Sequence, residues 1–228
     1  MFRCLNLGRI VLALMVAFVS GVAGATDWPD LSQAAPVVGG GQEDAALVVA
    51  IEDYAIVDDV PRAKLNANDW YTWMVDTRQV PISNVALLRD NEGTREGILA
   101  AARGVASRVK PGGTLWFVFV GHGAPAMDGQ DGLLVGWDTQ RTARSVYARG
   151  ATQKEILNLF VSGQQEHTVM VLDACFSGRS RGTGLVEGLQ PMIPIYALND
   201  TRATVLTAAK ADQFAGPLPN AERPAFSY

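Results

Sequence analysis

Two side chains in this sequence have the chemistry of a nucleophile and its proton acceptor. Cys175 comes shortly after the apolar run 168–172. His122 comes shortly after another apolar run, 114–120. A thiol is mostly protonated at neutral pH, and a nearby imidazole can take its proton or stabilise the thiolate. If the fold brings these two residues together, they are suited to attack an electrophilic carbon through sulfur.

The apolar runs before these two residues predict neighbouring strands of a parallel sheet. Neither run alternates polar with apolar residues, which is typical of a strand that is covered on both faces. Thr152 and Glu155 form a capping-box pattern, so a helix is expected between the two strands. Parallel strands joined by one helix are usually adjacent, about 4.8 Å apart. We therefore expect the imidazole and the thiol at the same edge of one sheet.

Glycines beside the histidine favour a site for an oxyanion. Gly121 and Gly123 allow a sharp turn of the backbone. The N–H groups of Gly123 and Cys175 could then point at one spot and hold the charge of a tetrahedral intermediate. Each residue has an ordinary alternative, since a histidine between glycines can be a packed turn residue and a strand-end cysteine can belong to the core. His167 precedes its strand and is expected at the opposite edge, as a solvated or capping residue.

The order of elements predicts an α/β fold with a mostly parallel central sheet and helices on both faces. Buried strands and amphipathic helices alternate along the chain, which is the pattern of such a sheet. Further strands are expected at residues 45–51, 85–88 and 203–208, with helices at 65–78, 94–109 and 152–162. Five residues at three- and four-residue spacing are expected to form the buried face of the first helix: Leu65, Trp70, Trp73, Met74 and Thr77.

The first 25 residues have the features of a secretory signal peptide. Two arginines precede an apolar run at residues 10–19 that is too short to cross a bilayer. Ala23-Gly24-Ala25 then offers a cleavage site after Ala25. An uncleaved membrane anchor is the alternative. Residues 26–44 are rich in proline, glycine and alanine and are expected to form a flexible leader, so the mature protein is expected to be secreted or periplasmic.

The charge and the cysteine content limit the kinds of partner and of cysteine chemistry that are expected. Without the two leader arginines, the 19 basic residues fall to 17 against 23 acidic ones, which gives a formal net charge of −6. No basic run occurs, which argues against nucleic acid as a partner. Cleavage also removes Cys4 and leaves Cys175 alone, so no internal disulfide can form. No membrane contact is expected after cleavage, and the lone thiol is either buried and inert or kept for its reactivity.

Two motifs resemble those of the caspase/metacaspase-like cysteine peptidases of bacteria. They are Phe119-Val120-Gly121-His122-Gly123 and Leu172-Asp173-Ala174-Cys175-Phe176-Ser177-Gly178, which look like the histidine and cysteine motifs of that family. The 53 residues from His122 to Cys175 agree with the interval of about 50 in caspases. Leu65-Asn66-Ala67-Asn68-Asp69 is similar to a further segment of metacaspases. The resemblance covers residues 45–228, which are expected to form one peptidase domain.

This resemblance implies the caspase-hemoglobinase fold and an endopeptidase that forms a covalent acyl-enzyme with peptide or protein substrates. It implies that His122 and Cys175 are the catalytic dyad. It also implies that Asp69, Asp173 and, more loosely, Asp212 line S1, the pocket for the residue before the cleaved bond. Buried carboxylates there would select arginine or lysine. An aspartate-specific pocket is the alternative, as is a helix-start role for Asp69.

The chain departs from the family at two places. Val120 stands where the family has a serine. The family continues with one more helix and strand, which this chain is expected to lack. These departures favour a second hypothesis, a caspase-like fold kept as a binding or regulatory module without turnover, and transpeptidation is a third. No cofactor is indicated; calcium activates some metacaspases, but Asp128 and Asp131 have the pattern of ordinary loop acids.

Overall fold

A five-stranded parallel sheet forms the centre of the molecule. The structure, a computed structural model, describes residues 35–176, 179–180, 183–184, 201–208 and 223–227. Its strands are β1 (Ala45–Ala50), β2 (Val85–Arg89), β3 (Thr114–Val120), β4 (Gly123–Pro125), β5 (Gly132–Val135), β6 (Gly150–Thr152), β7 (His167–Asp173), β8 (Arg179–Ser180), β9 (Thr183–Gly184) and β10 (Ala203–Thr207). Its α-helices are α1 (Ala63–Thr72), α2 (Arg95–Ala106), α3 (Ala143–Arg149) and α4 (Gln153–Val161).

The order of strands in the central sheet confirms the predicted fold class. The order is β10-β7-β3-β1-β2, and each neighbouring pair is parallel. β3 therefore lies in the middle, with β7 beside it as predicted. The connection between them holds α3 and the strands β4, β5 and β6 in addition to the predicted helix, α4. The short strands β4, β5 and β6 lie between β3 and β7 in the chain and form a separate antiparallel sheet.

Helices cover both faces of the central sheet. Successive side chains of a strand point to opposite faces, so β3 contributes to two cores. On one face, Phe117 packs with Ile98 of α2 and Phe160 of α4. On the other face, Val118 packs in a core that includes Ala67 of α1. Burial of a large apolar side chain such as Phe117 contributes about 1.5–3 kcal/mol, so the cores on the two faces both stabilise the sheet.

The helices α2, α3 and α4 each begin directly after a threonine that caps them, as Thr94 and Thr152 illustrate. The Oγ1 atom of Thr94 accepts a hydrogen bond from the N–H of Gly97 at 3.1 Å. Thr152 Oγ1 accepts from the N–H of Glu155 at 3.0 Å, and Glu155 Oε2 accepts from the N–H of Thr152 at 2.9 Å. These bonds satisfy N–H groups that lack partners inside a helix. The predicted capping box is confirmed.

The first helix differs from its prediction in the residues that it buries. α1 continues into a π-helical turn, Trp73–Thr77. Leu65, expected on the buried face, is 38% exposed, whereas Asn66 and Asp69 are 0% and 8% exposed. Apolar periodicity could not anticipate this, because both polar side chains are bound by Arg223, which lies 154 residues beyond Asp69 in the chain.

The end of the predicted flexible leader is packed on the domain. The N–H of Val38 donates to the carbonyl of Thr77 at 2.9 Å. Asp44 is buried and accepts a hydrogen bond from Arg78 Nε at 2.8 Å. The composition indicated flexibility because glycine and proline are frequent. Composition cannot predict hydrogen bonds to residues that are distant in the sequence. The predicted signal peptide lies outside the described residues. In the part of the chain that the structure describes, no helix is long and apolar enough to span a membrane.

Candidate active site

The ends of β3 and β7 meet at the carboxyl edge of the central sheet. Val120 is paired with Asp173 in parallel register. The N–H of Gly121 donates to the carbonyl of Asp173 at 3.2 Å, which extends the pairing by one residue. His122 and Cys175 each lie two residues beyond the Val120–Asp173 pair. The two segments that carry the candidate base and nucleophile therefore leave the sheet side by side, as the strand pattern predicts.

A backbone contact joins the histidine segment to the cysteine. A β-carbon on Gly123 would lie 2.9 Å from the carbonyl oxygen of Cys175 and 2.9 Å from Cδ1 of Phe176. Real side chains do not tolerate such short contacts, so this close approach of two backbones requires glycine. The residue after His122 thus touches the main chain of the candidate nucleophile. Cys175 is partly exposed, which leaves a route from solvent to this residue.

Two residues that the sequence analysis did not single out orient His122. The N–H of His122 donates to the Tyr54 hydroxyl at 2.8 Å, and this hydroxyl donates to the carbonyl of Val135 at 3.4 Å. The Nε2 atom of His122 lies 2.7 Å from the carbonyl oxygen of Asp58. Because a carbonyl only accepts, Nε2 carries the hydrogen in this bond. In the neutral ring, Nδ1 is then the basic nitrogen.

Burial keeps the His122 imidazole neutral. Removal of the ring from water lowers its pKa below the ordinary histidine value, because the charged form loses more hydration than the neutral form. The Asp58 carbonyl and the nearby charges of Asp58 and Asp59 oppose this effect without reversing it. The Tyr54 ring packs against the imidazole with a centroid distance of 4.9 Å. His122 is therefore in its proton-accepting form near neutral pH.

The loop that supplies the Asp58 carbonyl is itself tied to the domain. Arg141 Nη2 donates to Asp58 Oδ1 at 2.6 Å, and Arg141 Nε donates to the carbonyl of Ile56 at 3.3 Å. Trp137 Nε1 donates to the carbonyl of Asp53 at 2.8 Å. These side chains follow β5 and hold a loop that follows β1. A backbone carbonyl carries no signature in the sequence, which is why this part of the site was missed.

Asp173, one of the predicted S1 acids, is buried at the end of β7. Its Oδ2 atom accepts a hydrogen bond from the N–H of Ser227 at 2.9 Å. Burial raises the pKa of the Asp173 carboxyl to about 6, and the hydrogen bonds from Ser227 limit this rise. The residues Val169 and Val171 pack with the core on the α1 side of the sheet. By the alternation of a strand, the Asp173 side chain points to the same side.

Asp69, the second predicted S1 acid, forms an ion pair inside the protein. Its carboxylate binds the guanidinium of Arg223, and only 6% of the Arg223 side chain and 11% of the Asp69 side chain are exposed. The Nε atom of Arg223 donates to Asn66 Oδ1 at 2.6 Å. Asp69 is on α1, so the two predicted acids belong to the same face of the sheet. The third, Asp212, lies outside the described residues.

The remaining histidine is remote from the site. His167 is the first residue of β7, at the opposite edge of the sheet from Cys175, and it is exposed to solvent. Its Nε2 atom lies 3.8 Å from Glu166 Oε1. The predicted solvated position of this residue is confirmed. The oxyanion role of the Gly123 and Cys175 N–H groups stays a prediction, although the two groups belong to segments that are in contact.

Comparisons with known proteins do not indicate a function for this chain. No family model and no curated protein matches the chain. Among solved structures, it is similar to protein GSU0716 from Geobacter sulfurreducens, with a TM-score of 0.46 and 17% identity over 60% of this chain. The match covers 51% of that protein, so this chain spans about half of its length. We therefore infer function from the residues of the site.

Proposed function

We propose that this protein is a cysteine-type endopeptidase of the caspase/metacaspase-like kind, with Cys175 as nucleophile and His122 as base. The observation that carries the proposal is the approach of Gly123 to the Cys175 carbonyl. It brings the segment of the predicted base against the predicted nucleophile. The bond between His122 Nε2 and the Asp58 carbonyl adds support, because it leaves Nδ1 free to accept a proton.

In the proposed reaction, His122 Nδ1 takes the thiol proton of Cys175, and the sulfur forms a bond to the carbonyl carbon of the peptide. The carbonyl oxygen becomes an oxyanion, which the N–H groups of Gly123 and Cys175 are suited to hold. Breakage of the C–N bond follows, and the His122 imidazolium gives its proton to the leaving amine. Water, deprotonated by His122, then releases the acyl group from sulfur and restores the thiol.

The acidic residues favour cleavage after arginine or lysine. Asp69 and Asp173 are both buried on the α1 side of the sheet, and Asp173 is the last residue of β7. Carboxylates in such a place attract a cationic side chain, and arginine is preferred because its planar group can bond two acceptors at once. Arg223 already binds the Asp69 carboxylate, so a guanidinium fits beside this acid. Secretion or export to the periplasm, with cleavage after Ala25, is part of the same proposal.

The direct test is cleavage of fluorogenic peptides by the chain from Thr26 onward. Peptides that end in arginine, lysine or aspartate before the fluorophore report the S1 preference. We expect cleavage after arginine and lysine, with Cys175→Ala inactive. Cleavage of the aspartate peptide alone would show that the acids do not form the pocket. If Cys175→Ala were as active as the parent protein, the Cys175 sulfur would not take part in the reaction.

A binding module without turnover is the second candidate, since the predicted cation pocket is already filled by Arg223. The reactivity of Cys175 separates the two functions without any substrate. A peptidase dyad makes the thiol react rapidly with iodoacetamide, and His122→Ala should slow this reaction. The matched control is His167→Ala, which changes a histidine at the far edge. If all three proteins are labelled at the same rate, the thiol is not activated and the binding module is favoured.

A further inference from the structure

The segment Arg223–Ser227 bridges the two predicted S1 acids. Its first residue binds Asp69, and the N–H of its last described residue donates to Asp173 at 2.9 Å. Five residues of chain span at most about 17 Å, so both buried acids belong to one region of the molecule. Arg223 and Ser227 are buried at 5% and 0% exposure, so both ends of the segment are anchored in the fold, whereas Phe226 between them is exposed.

The site formed by Asn66 and Asp69, which binds Arg223, contacts both the guanidinium and the backbone that carries it. Asn66 Oδ1 accepts from Arg223 Nε at 2.6 Å, while Asp69 accepts from the terminal nitrogen Nη2. Asn66 is fully buried and also donates through Nδ2 to the carbonyl of Pro224 at 2.9 Å. One side chain thus contacts the arginine head and the main chain of the next residue. An extended peptide with an arginine offers the same groups.

The site formed by Asp69 and Asn66 can bind only one guanidinium at a time. A buried carboxylate is stable only when a cation or other donors accompany it, so Asp69 must keep a positive partner. Arg223 supplies that partner from within the chain, and a substrate arginine needs the same oxygen of Asp69 and the same amide of Asn66. Binding of a substrate arginine at this place therefore requires Arg223 to leave. The exchange replaces one ion pair by another, so the buried charge is never left alone.

We propose that Arg223–Ser227 is an internal pseudosubstrate, which blocks the cation pocket until a peptide with an arginine displaces it. This inference rests on the proposed function, because it treats Asp69 as the S1 acid. A group on the same chain competes at an effective concentration of about millimolar. Substrates present below that concentration are held back, and local release of the segment acts as the switch. Arg223→Ala should therefore lower KM for arginine peptides at least tenfold and change kcat much less.

Binding of agmatine tests the occupied site without catalysis. Agmatine carries the guanidinium of arginine, and Cys175→Ala removes turnover. In the full chain with Cys175→Ala, we expect weak binding by calorimetry. Adding Arg223→Ala should tighten binding at least tenfold, and agmatine should raise the melting temperature of that variant. Arg103→Ala is the matched control, because it removes an exposed arginine from α2 on the opposite face. Equally weak binding by all three folded proteins would overturn the inference.

A second measurement keeps Arg223 and so does not depend on the folding of that variant. In the Cys175→Ala protein, saturating agmatine should free the segment and speed amide hydrogen exchange in residues 223–227. Agmatine that binds while exchange there stays unchanged would overturn the inference. The two proposals can fail separately. Suppose that Arg223→Ala binds agmatine tightly but the protein with Cys175 intact does not cleave arginine peptides. The peptidase proposal would then be refuted, while a cation site that is blocked by Arg223 would remain supported.

Discussion

The two sides of the carboxyl edge hold their buried polar groups in different ways. The His122 imidazole is neutral and is held by the loop after β1, through the Asp58 carbonyl. The acid side carries carboxylates, and these are held by a separate segment, Arg223–Ser227. The elements around the central sheet thus determine the position of the base. The acidic region depends on a segment that we propose to be displaceable, so the histidine side is a fixed site and the acid side an exchangeable one.

The largest expected effect is on the fixed side. Replacement of His122 by alanine removes the proton acceptor, and kcat/KM should fall at least about 10³-fold, a loss of about 4 kcal/mol in transition-state stabilisation. His167→Ala should stay within twofold of the parent. Peptide hydrolysis by both variants, with circular dichroism to confirm folding, checks this. Similar losses in the two variants would mean that neither histidine acts on the reaction directly.

The next effect tests the backbone contact at the fixed side. Gly123→Ala places a methyl group 2.9 Å from the Cys175 carbonyl oxygen, so the two segments must move apart. We expect a loss of about 1–3 kcal/mol in the free energy of unfolding, together with lower activity. Gly104→Ala is the control, because its new methyl group meets nothing nearer than Arg108 Nη1 at 3.7 Å. In the interior of α2 that change should stabilise by up to about 1 kcal/mol. Urea unfolding of both variants measures the difference.

On the exchangeable side, Asp173 should make stability depend on pH. Its pKa is raised to about 6 in the folded protein, whereas an unfolded aspartate ionises near pH 4. The unfolded chain therefore releases this proton first, and the folded state loses about 3 kcal/mol as pH rises from about 4 to 6, a loss that persists above pH 6. Asp173→Asn cannot ionise and keeps an oxygen for the Ser227 N–H.

The measurement for Asp173 is urea unfolding of the parent and of Asp173→Asn at several values between pH 4 and pH 7. We expect the variant to gain stability relative to the parent across this interval. Comparison with the parent removes the contribution of all other titrating groups. Parallel curves for the two proteins would show that the Asp173 carboxyl is not held in its neutral form by burial.

The last prediction returns to the histidine and its contact with Tyr54. Tyr54→Phe keeps the ring that packs on the imidazole but removes the acceptor of the His122 N–H. A buried N–H without a partner costs about 1–3 kcal/mol, so the variant should be less stable and its base less well oriented. Tyr71→Phe on α1 removes a hydroxyl elsewhere and serves as the control. If thermal unfolding and activity match in the two variants, the Tyr54 hydroxyl does not position His122.

Sequence reasoning was accurate where the signal is local. Apart from an initial threonine, the runs 114–120 and 168–172 are apolar, and such runs are typical of buried parallel strands. The capping box at Thr152 is equally local, since its partners are three residues apart. Prediction from the sequence was less accurate for α1. The spacing of apolar residues placed Leu65 on the buried face and did not indicate that Asn66 would be buried. That outcome depends on a partner supplied from another part of the chain.

By itself, the sequence determined the parallel sheet and the edge at which His122 and Cys175 emerge, because strand burial and helix capping arise from neighbouring residues. Only the tertiary structure decided which nitrogen of His122 is basic and which group occupies Asp69. The first depends on a backbone carbonyl, which every residue has and no residue type reveals. The second depends on a charge 154 residues away, whose pairing exists only once the chain has folded.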